Sequence, residues 1–189
     1  MTKWIFFLLF LWIFPKCCLT QEPILAELDE TKLYRIQSCA SSMYLNCAQT
    51  YSGSPITQTI FSSEEKSGQL WRFILVNNGC YRIQSQYSGL YLTCSNIGDV
   101  AQEKYSVGAL ARQLWRVIID REGHHLIQSV QTGLYLSYFR RREAVTDTTK
   151  ERIRCTSLIQ PEGATRKYSP ESQKREERKS IQYWKILQS

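Results

Sequence analysis

Apolar residues alternate with polar ones at three places along this chain of 189 residues. At Trp71, Phe73 and Leu75 they fall at period two, with Leu70, Arg72 and Ile74 on the opposite face. Trp115, Val117 and Ile119 repeat the pattern, and Trp184 with Ile186 begins it again. Successive side chains of an extended backbone point to opposite faces, so this alternation marks half-buried strands. The stretch from Tyr81 to Cys94 predicts a hairpin, with two strands flanking a turn at Gln86-Tyr-Ser-Gly89, where glycine supplies a permissive backbone. No segment between the N-terminal apolar run and residue 140 shows helical periodicity.

The strands belong to a threefold repeat. Tyr34-Arg-Ile-Gln-Ser38 recurs as Tyr81-Arg-Ile-Gln-Ser85 and as His125-Leu-Ile-Gln-Ser129. After three further residues come Ser42-Met-Tyr-Leu45, Gly89-Leu-Tyr-Leu92 and Gly133-Leu-Tyr-Leu136. Each copy then closes on Gln69-Leu-Trp71, Gln113-Leu-Trp115 or Gln182-Tyr-Trp184. One unit of about four short strands cannot bury its own apolar face, but three packed around an axis can. The tryptophans dominate such a shared core, since a large aromatic buries roughly 150–250 Å². The closing glutamines Gln69, Gln113 and Gln182 are expected to hydrogen-bond backbone within their own repeat, because a buried amide needs partners.

A Gln-x-Trp triplet ending each of three repeats resembles the ricin B-chain-like, or R-type lectin, family. The resemblance covers roughly Leu33 to Leu187. It implies an all-β fold, the β-trefoil, and for many members carbohydrate binding. It places the repeats at about 32–76, 79–120 and 123–188 of a single domain, 21–189. It further implies a sugar site in outline: an aspartate just after the hairpin's apolar pair, a ring on the following strand or loop, and an amide beside the closing Gln. Here the aspartate position holds Asn46, Thr93 and Ser137, and the candidate stacking rings are Phe61 and Tyr105. The residues before the closing Gln are Gly68, Arg112 and Ile181. The first copy, through Asn46 and Phe61, is the candidate that keeps most of the outline. The competing reading is a trefoil that has lost or relocated its site and binds a protein, either a receptor or a protease.

The third repeat departs from the other two. Its hairpin Gln and closing Gln, Gln128 and Gln182, stand much farther apart than Gln37 and Gln69 or Gln84 and Gln113, so an insertion lies within about 140–180. That segment holds twelve Lys/Arg and seven Asp/Glu, a net of +5, whereas 21–139 holds nine and ten, a net of −1. Two readings fit: a tolerated surface insertion, or an electrostatic handle for acidic polysaccharide. Arg140, Arg141, Arg142, Lys174, Arg175, Arg178 and Lys179 would carry the second. Nucleic acid is the poorer partner for a secreted chain.

Lys3 followed by the apolar run Trp4 to Phe14 predicts a signal peptide over 1–20, too short to span a bilayer. The expected location is extracellular, with no membrane span. Beyond the signal lie Cys39, Cys47, Cys80, Cys94 and Cys155, an odd number for an oxidising compartment. Cys80 and Cys94 stand at the open ends of the predicted hairpin, symmetric about Tyr87, which predicts a disulfide between them. Cys47 and Cys155 are left with several pairings. No Cys-x-x-Cys or His-x-x-x-His spacing points to a metal, and no nucleophile, P-loop or paired-carboxylate pattern points to an enzyme. No cofactor is expected.

Overall fold

A computed structural model describes residues 23–64, 68–77, 79–142, 149–157 and 182–189. The predicted signal peptide and most of the insertion, Lys174, Arg175, Arg178 and Lys179 included, lie outside the described residues.

The first repeat contributes β2 (Tyr34–Ser38), β3 (Tyr44–Asn46), β4 (Thr57–Thr59) and β5 (Trp71–Asn77), after a short β1 (Ile24–Leu25). The second contributes β6 (Cys80–Ser85), β7 (Tyr91–Cys94), β8 (Val100–Glu103) and β9 (Trp115–Ile119). The third contributes β10 (His125–Ser129), β11 (Tyr135–Arg142), β12 (Thr149–Thr156) and β13 (Trp184–Gln188). The first and last strands of the repeats close a ring: β2 pairs with β5, β5 with β6, β6 with β9, β9 with β10, β10 with β13, and β13 with β2. The closing strand of each repeat thereby pairs with the opening strand of the next. β3–β4, β7–β8 and β11–β12 form three caps on this barrel. Closing the ring leaves the barrel with no free edge.

Each cap joins its barrel strand through a single residue pair, Gln37 with Tyr44, Gln84 with Tyr91 and Gln128 with Tyr135. The turn between them needs a left-handed residue, which Gly89 and Gly133 supply at φ 72° and 69° and Ser42 at φ 58°. The amides of Gln37, Gln84 and Gln128 donate to the carbonyls of these same three residues at 2.9–3.0 Å.

Trp71, Trp115 and Trp184 are fully buried among Ile36, Ile83 and Ile127 and the cap leucines Leu45, Leu92 and Leu136. Each indole N–H donates to the carbonyl of its own repeat's cap leucine, at 3.0 Å from Trp71 to Leu45 and 2.9 Å from Trp115 to Leu92 and from Trp184 to Leu136.

Two expectations need correction. Leu75 does not continue the buried face of Trp71 and Phe73: it is 51% exposed, because β5 bulges beyond it as the strand leaves the barrel. A 3₁₀ helix at Val107–Gln113 interrupts the all-strand reading between β8 and β9. Its run of seven residues is too short to show periodicity in sequence.

Trp115→Phe keeps most of the core volume but strands the Leu92 carbonyl. It should destabilise the fold by about 2–4 kcal/mol in urea unfolding, against about 1 kcal/mol or less for the exposed Leu75→Ala.

Candidate functional site

The closing glutamines are placed by the same logic as the tryptophans, two residues earlier. Gln69 is buried; its amide donates to Thr59 Oγ1 at 2.7 Å and to the Ile60 carbonyl, and its oxygen accepts from the Ser62 N–H at 2.9 Å. Gln113 donates to the Lys104 carbonyl at 3.0 Å and to Thr93 Oγ1 at 3.4 Å. Gln182 donates to Thr156 Oγ1 and the Ser157 carbonyl, both at 2.8 Å. All three pin the second cap strand, or the loop leaving it, to the start of the closing strand, a structural role within the repeat.

The buried glutamines dispose of two of the three aspartate-position candidates. Thr93 is buried, with its hydroxyl donating to the Tyr91 carbonyl at 3.0 Å and accepting from Gln113. Ser137 is fully buried, with its hydroxyl donating to the Tyr135 carbonyl at 2.8 Å and 2.7 Å from that of Thr156. Neither presents a face to a ligand.

Asn46 does. It ends β3 at the rim of a hollow of about 640 Å³, shared with Phe61, Glu64, Gly68, Gln69 and Tyr87. Phe61 is 57% exposed and held from two sides. The Tyr44 ring meets it edge-on at 5.7 Å, and the Arg35 guanidinium lies 5.1 Å from its centroid. Arg35 is itself fixed by Ser189 Oγ at 2.6 Å. A cation over a ring face contributes about 0.5–1 kcal/mol at an exposed site, so the ring is set before any ligand arrives.

Gly68 explains the missing amide. A Cβ built there would lie 2.0 Å from the Cys47 carbonyl oxygen and 2.8 Å from Asn46 Oδ1. The Cys47 N–H donates to the Gly68 carbonyl at 2.8 Å, which holds the two backbones together. A side chain at this position is excluded by backbone, so the polar groups of the hollow come from elsewhere: Asn46, Glu64 and the serines after Phe61.

The second repeat carries a matching hollow of about 620 Å³ with different chemistry. Arg112 stands in the place of Gly68 and Gln131 in the place of Tyr87, with Asn96 and Ile97 beside them. Arg112 lies 3.5 Å from the Glu103 carboxylate, and Gln131 donates to Asn96 at 2.6 Å. Tyr105 keeps the framework of Phe61, with Tyr91 edge-on at 6.1 Å and Arg82 at 4.8 Å, but it stands outside this hollow.

Tyr87 and Glu64 were missed in the sequence. Tyr87 arrives from the hairpin tip of the neighbouring repeat, which aligning the tips 39–41, 86–88 and 130–132 would have flagged as the only aromatic. Arg140, Arg141 and Arg142 end β11; the other basic candidates lie outside the described residues.

The strand register does not place Cys80 opposite Cys94. Cys80 belongs to the barrel, where it pairs across to Arg116, while Cys94 leaves into the cap opposite Val100. The two strands part after one residue pair, so symmetry about Tyr87 in sequence is not proximity in space. Among the described residues, Asp120, Glu122 and His124 are the group whose ligand atoms lie close enough to hold one metal ion, all within 4.8 Å. Asp120 Oδ1 already accepts from the N–H groups of Glu122 and His124 at 2.9 and 2.8 Å, which stitches the turn between β9 and β10. Among the described residues no helix is long and apolar enough to cross a membrane.

Residues 67–150 match the family model of the ricin-type beta-trefoil lectin domain-like proteins. No curated protein sequence matches the chain. Among solved structures, the designed 3-fold symmetric protein ThreeFoil superposes with a TM-score of 0.60 at 21% identity, over 82% of this chain and 97% of that one. The cytolethal distending toxin of Actinobacillus actinomycetemcomitans gives 0.59 at 13% identity, over 85% and 94%. A mosquitocidal holotoxin gives 0.62 at 16% identity, over 86% of this chain and 18% of that one. With a barrel of six interlocked strands, three caps and these superpositions, this chain is a β-trefoil, similar over residues 67–150 to the ricin-type lectin domain-like proteins.

Proposed function

We propose that the protein is a secreted carbohydrate-binding module, not an enzyme, whose ligand sits in the hollow of the first repeat. The observation that carries this reading is the convergence of Asn46, Phe61, Glu64 and Tyr87 at one rim. Phe61 offers a pre-set ring for the apolar face of a sugar. Asn46 both donates and accepts toward hydroxyls. The Glu64 carboxylate provides the charge-assisted acceptor that the aspartate position lacks, roughly twice as strong as a neutral one. Extracellular location rests on the signal-like run Trp4 to Phe14 and on the family match.

A glycan array carrying neutral and sulfated sugars, read at two salt concentrations, tests the reading. Salt-insensitive binding to neutral sugars is expected. Asn46→Ala and Phe61→Ala should each weaken it about tenfold or more, equivalent to about 1.4 kcal/mol, with the melting temperature unchanged. Binding confined to sulfated chains and fading with salt would move the ligand to the basic segment 140–180. Silence across the array would overturn the lectin reading in favour of a protein partner.

Restoring aspartate separates the repeats. Asn46→Asp, at an open rim, should fold normally and bind at least as tightly. Thr93→Asp buries a carboxylate beside the Tyr91 carbonyl and should cost about 3 kcal/mol or more, visible in thermal unfolding by circular dichroism.

A further inference from the structure

Consecutive repeats meet at a recurring contact. Between the first and second, the Cys47 thiol lies 2.8 Å from Gln102 Oε1, and Ser88 donates to the same oxygen at 2.6 Å. Gln102 is fully buried and pairs with Leu92 across β7 and β8. At the junction of the second and third repeats, Cys94 takes the place of Cys47 and Thr132 that of Ser88. Cys155, which pairs with Leu136 across β11 and β12, takes the place of Gln102. A thiol thus stands where the first junction has an amide, and it neighbours the Cys94 thiol closely enough for each to perturb the other.

Both residues are buried, Cys94 fully. Their backbones are fixed on either side of the contact. The Cys155 N–H donates to the Gly98 carbonyl at 2.7 Å, Asp99 bridges to Arg154, and the Arg154 guanidinium reaches the Asp99 carboxylate at 3.0 Å. Gly98, at φ 85°, is pressed so close that a Cβ there would lie 2.5 Å from the Cys155 carbonyl oxygen.

We propose that Cys94 and Cys155 join in a disulfide that staples the outer cap strand of the third repeat to the second repeat. The oxidant is a small disulfide such as oxidised glutathione. The Cys94 thiolate attacks one of its sulfurs, the glutathione S–S bond breaks, and one glutathione leaves as thiolate. The Cys155 sulfur, deprotonated, then attacks Cys94 and displaces the second glutathione. Two protein thiols are oxidised, one glutathione disulfide is reduced, and the two protons end on the departing thiols. Hydrogen bonds from Cys155, Thr132 and Ser129 hold the Cys94 thiol below its ordinary range, which suits the first attack, while its partner pushes Cys155 up. Because both sulfurs are enclosed in the fold, the exchange belongs to folding rather than to the finished protein.

The test is to refold the reduced, full chain in oxidised and reduced glutathione, quench with N-ethylmaleimide and map peptides by mass. The expected result is one linked pair, the Cys94 and Cys155 peptides, two hydrogens lighter than their sum. Reduction in denaturant and refolding without oxidant should lower the melting temperature by about 10 °C, as a loop of this length implies, and leave the Cys94→Ala/Cys155→Ala chain unmoved. Alkylation of both thiols in the oxidised sample, or Cys94 linked to any other cysteine, overturns the proposal. So does an equal response to reduction in the double variant. Glycan binding plays no part in either readout, so the result stands apart from the sugar-site reading.

Discussion

The hydrogen bond from each tryptophan indole to a leucine carbonyl carries the trefoil. A cap hairpin touches its barrel strand at a single residue pair, too little to fix an angle between two pieces of sheet. The indole supplies the second point. It fills the barrel core and reaches out with its one donor to the strand that turns away, so burial and orientation come from the same side chain. The glutamine two residues earlier does the same for the other cap strand. Gln-x-Trp is therefore a pair of opposed clamps on one cap, which is why the two residues recur together.

This division of labour governs what the chain reveals in its letters. The repeating strands, the buried tryptophans and the tying role of the glutamines were legible because period-two alternation and threefold recurrence record burial directly. The parting of β6 and β7 was not. A hairpin in sequence looks the same whether its strands stay paired or separate after one step, and the expectation that Cys80 stands opposite Cys94 follows from that. Thr93 and Ser137 misled for a related reason. They occupy the ligand-facing position by alignment, yet a closing glutamine or a neighbouring hydroxyl has taken their side chains inward. Position along a repeat fixes the backbone, not the partner that a hydroxyl chooses.

The rims of the repeats have drifted while the cores have not. The first hollow is walled by Phe61 and Tyr87 with an obligatory Gly68; the second has Arg112 and Gln131 at the matching places. Aromatic frameworks built on Tyr44 and Arg35, or on Tyr91 and Arg82, survive in both. A scaffold whose stability resides in the axis tolerates such change, because rim side chains lie outside the network of clamps. The chemistry a rim presents is accordingly a property of one repeat rather than of the symmetry.

The third repeat shows how far that tolerance extends. Ser157 and Gln182, far apart in sequence, lie side by side, because the Gln182 amide is bonded to both Thr156 and the Ser157 carbonyl. These two points of the chain are thus neighbours, held together by the fold itself. For any flexible segment inserted between two points so held, the closure entropy grows only as the logarithm of its length, about 0.6 kcal/mol per doubling. The same doorway would accept a foreign peptide as readily as the native one, which makes it a natural graft point for displaying sequences on this scaffold.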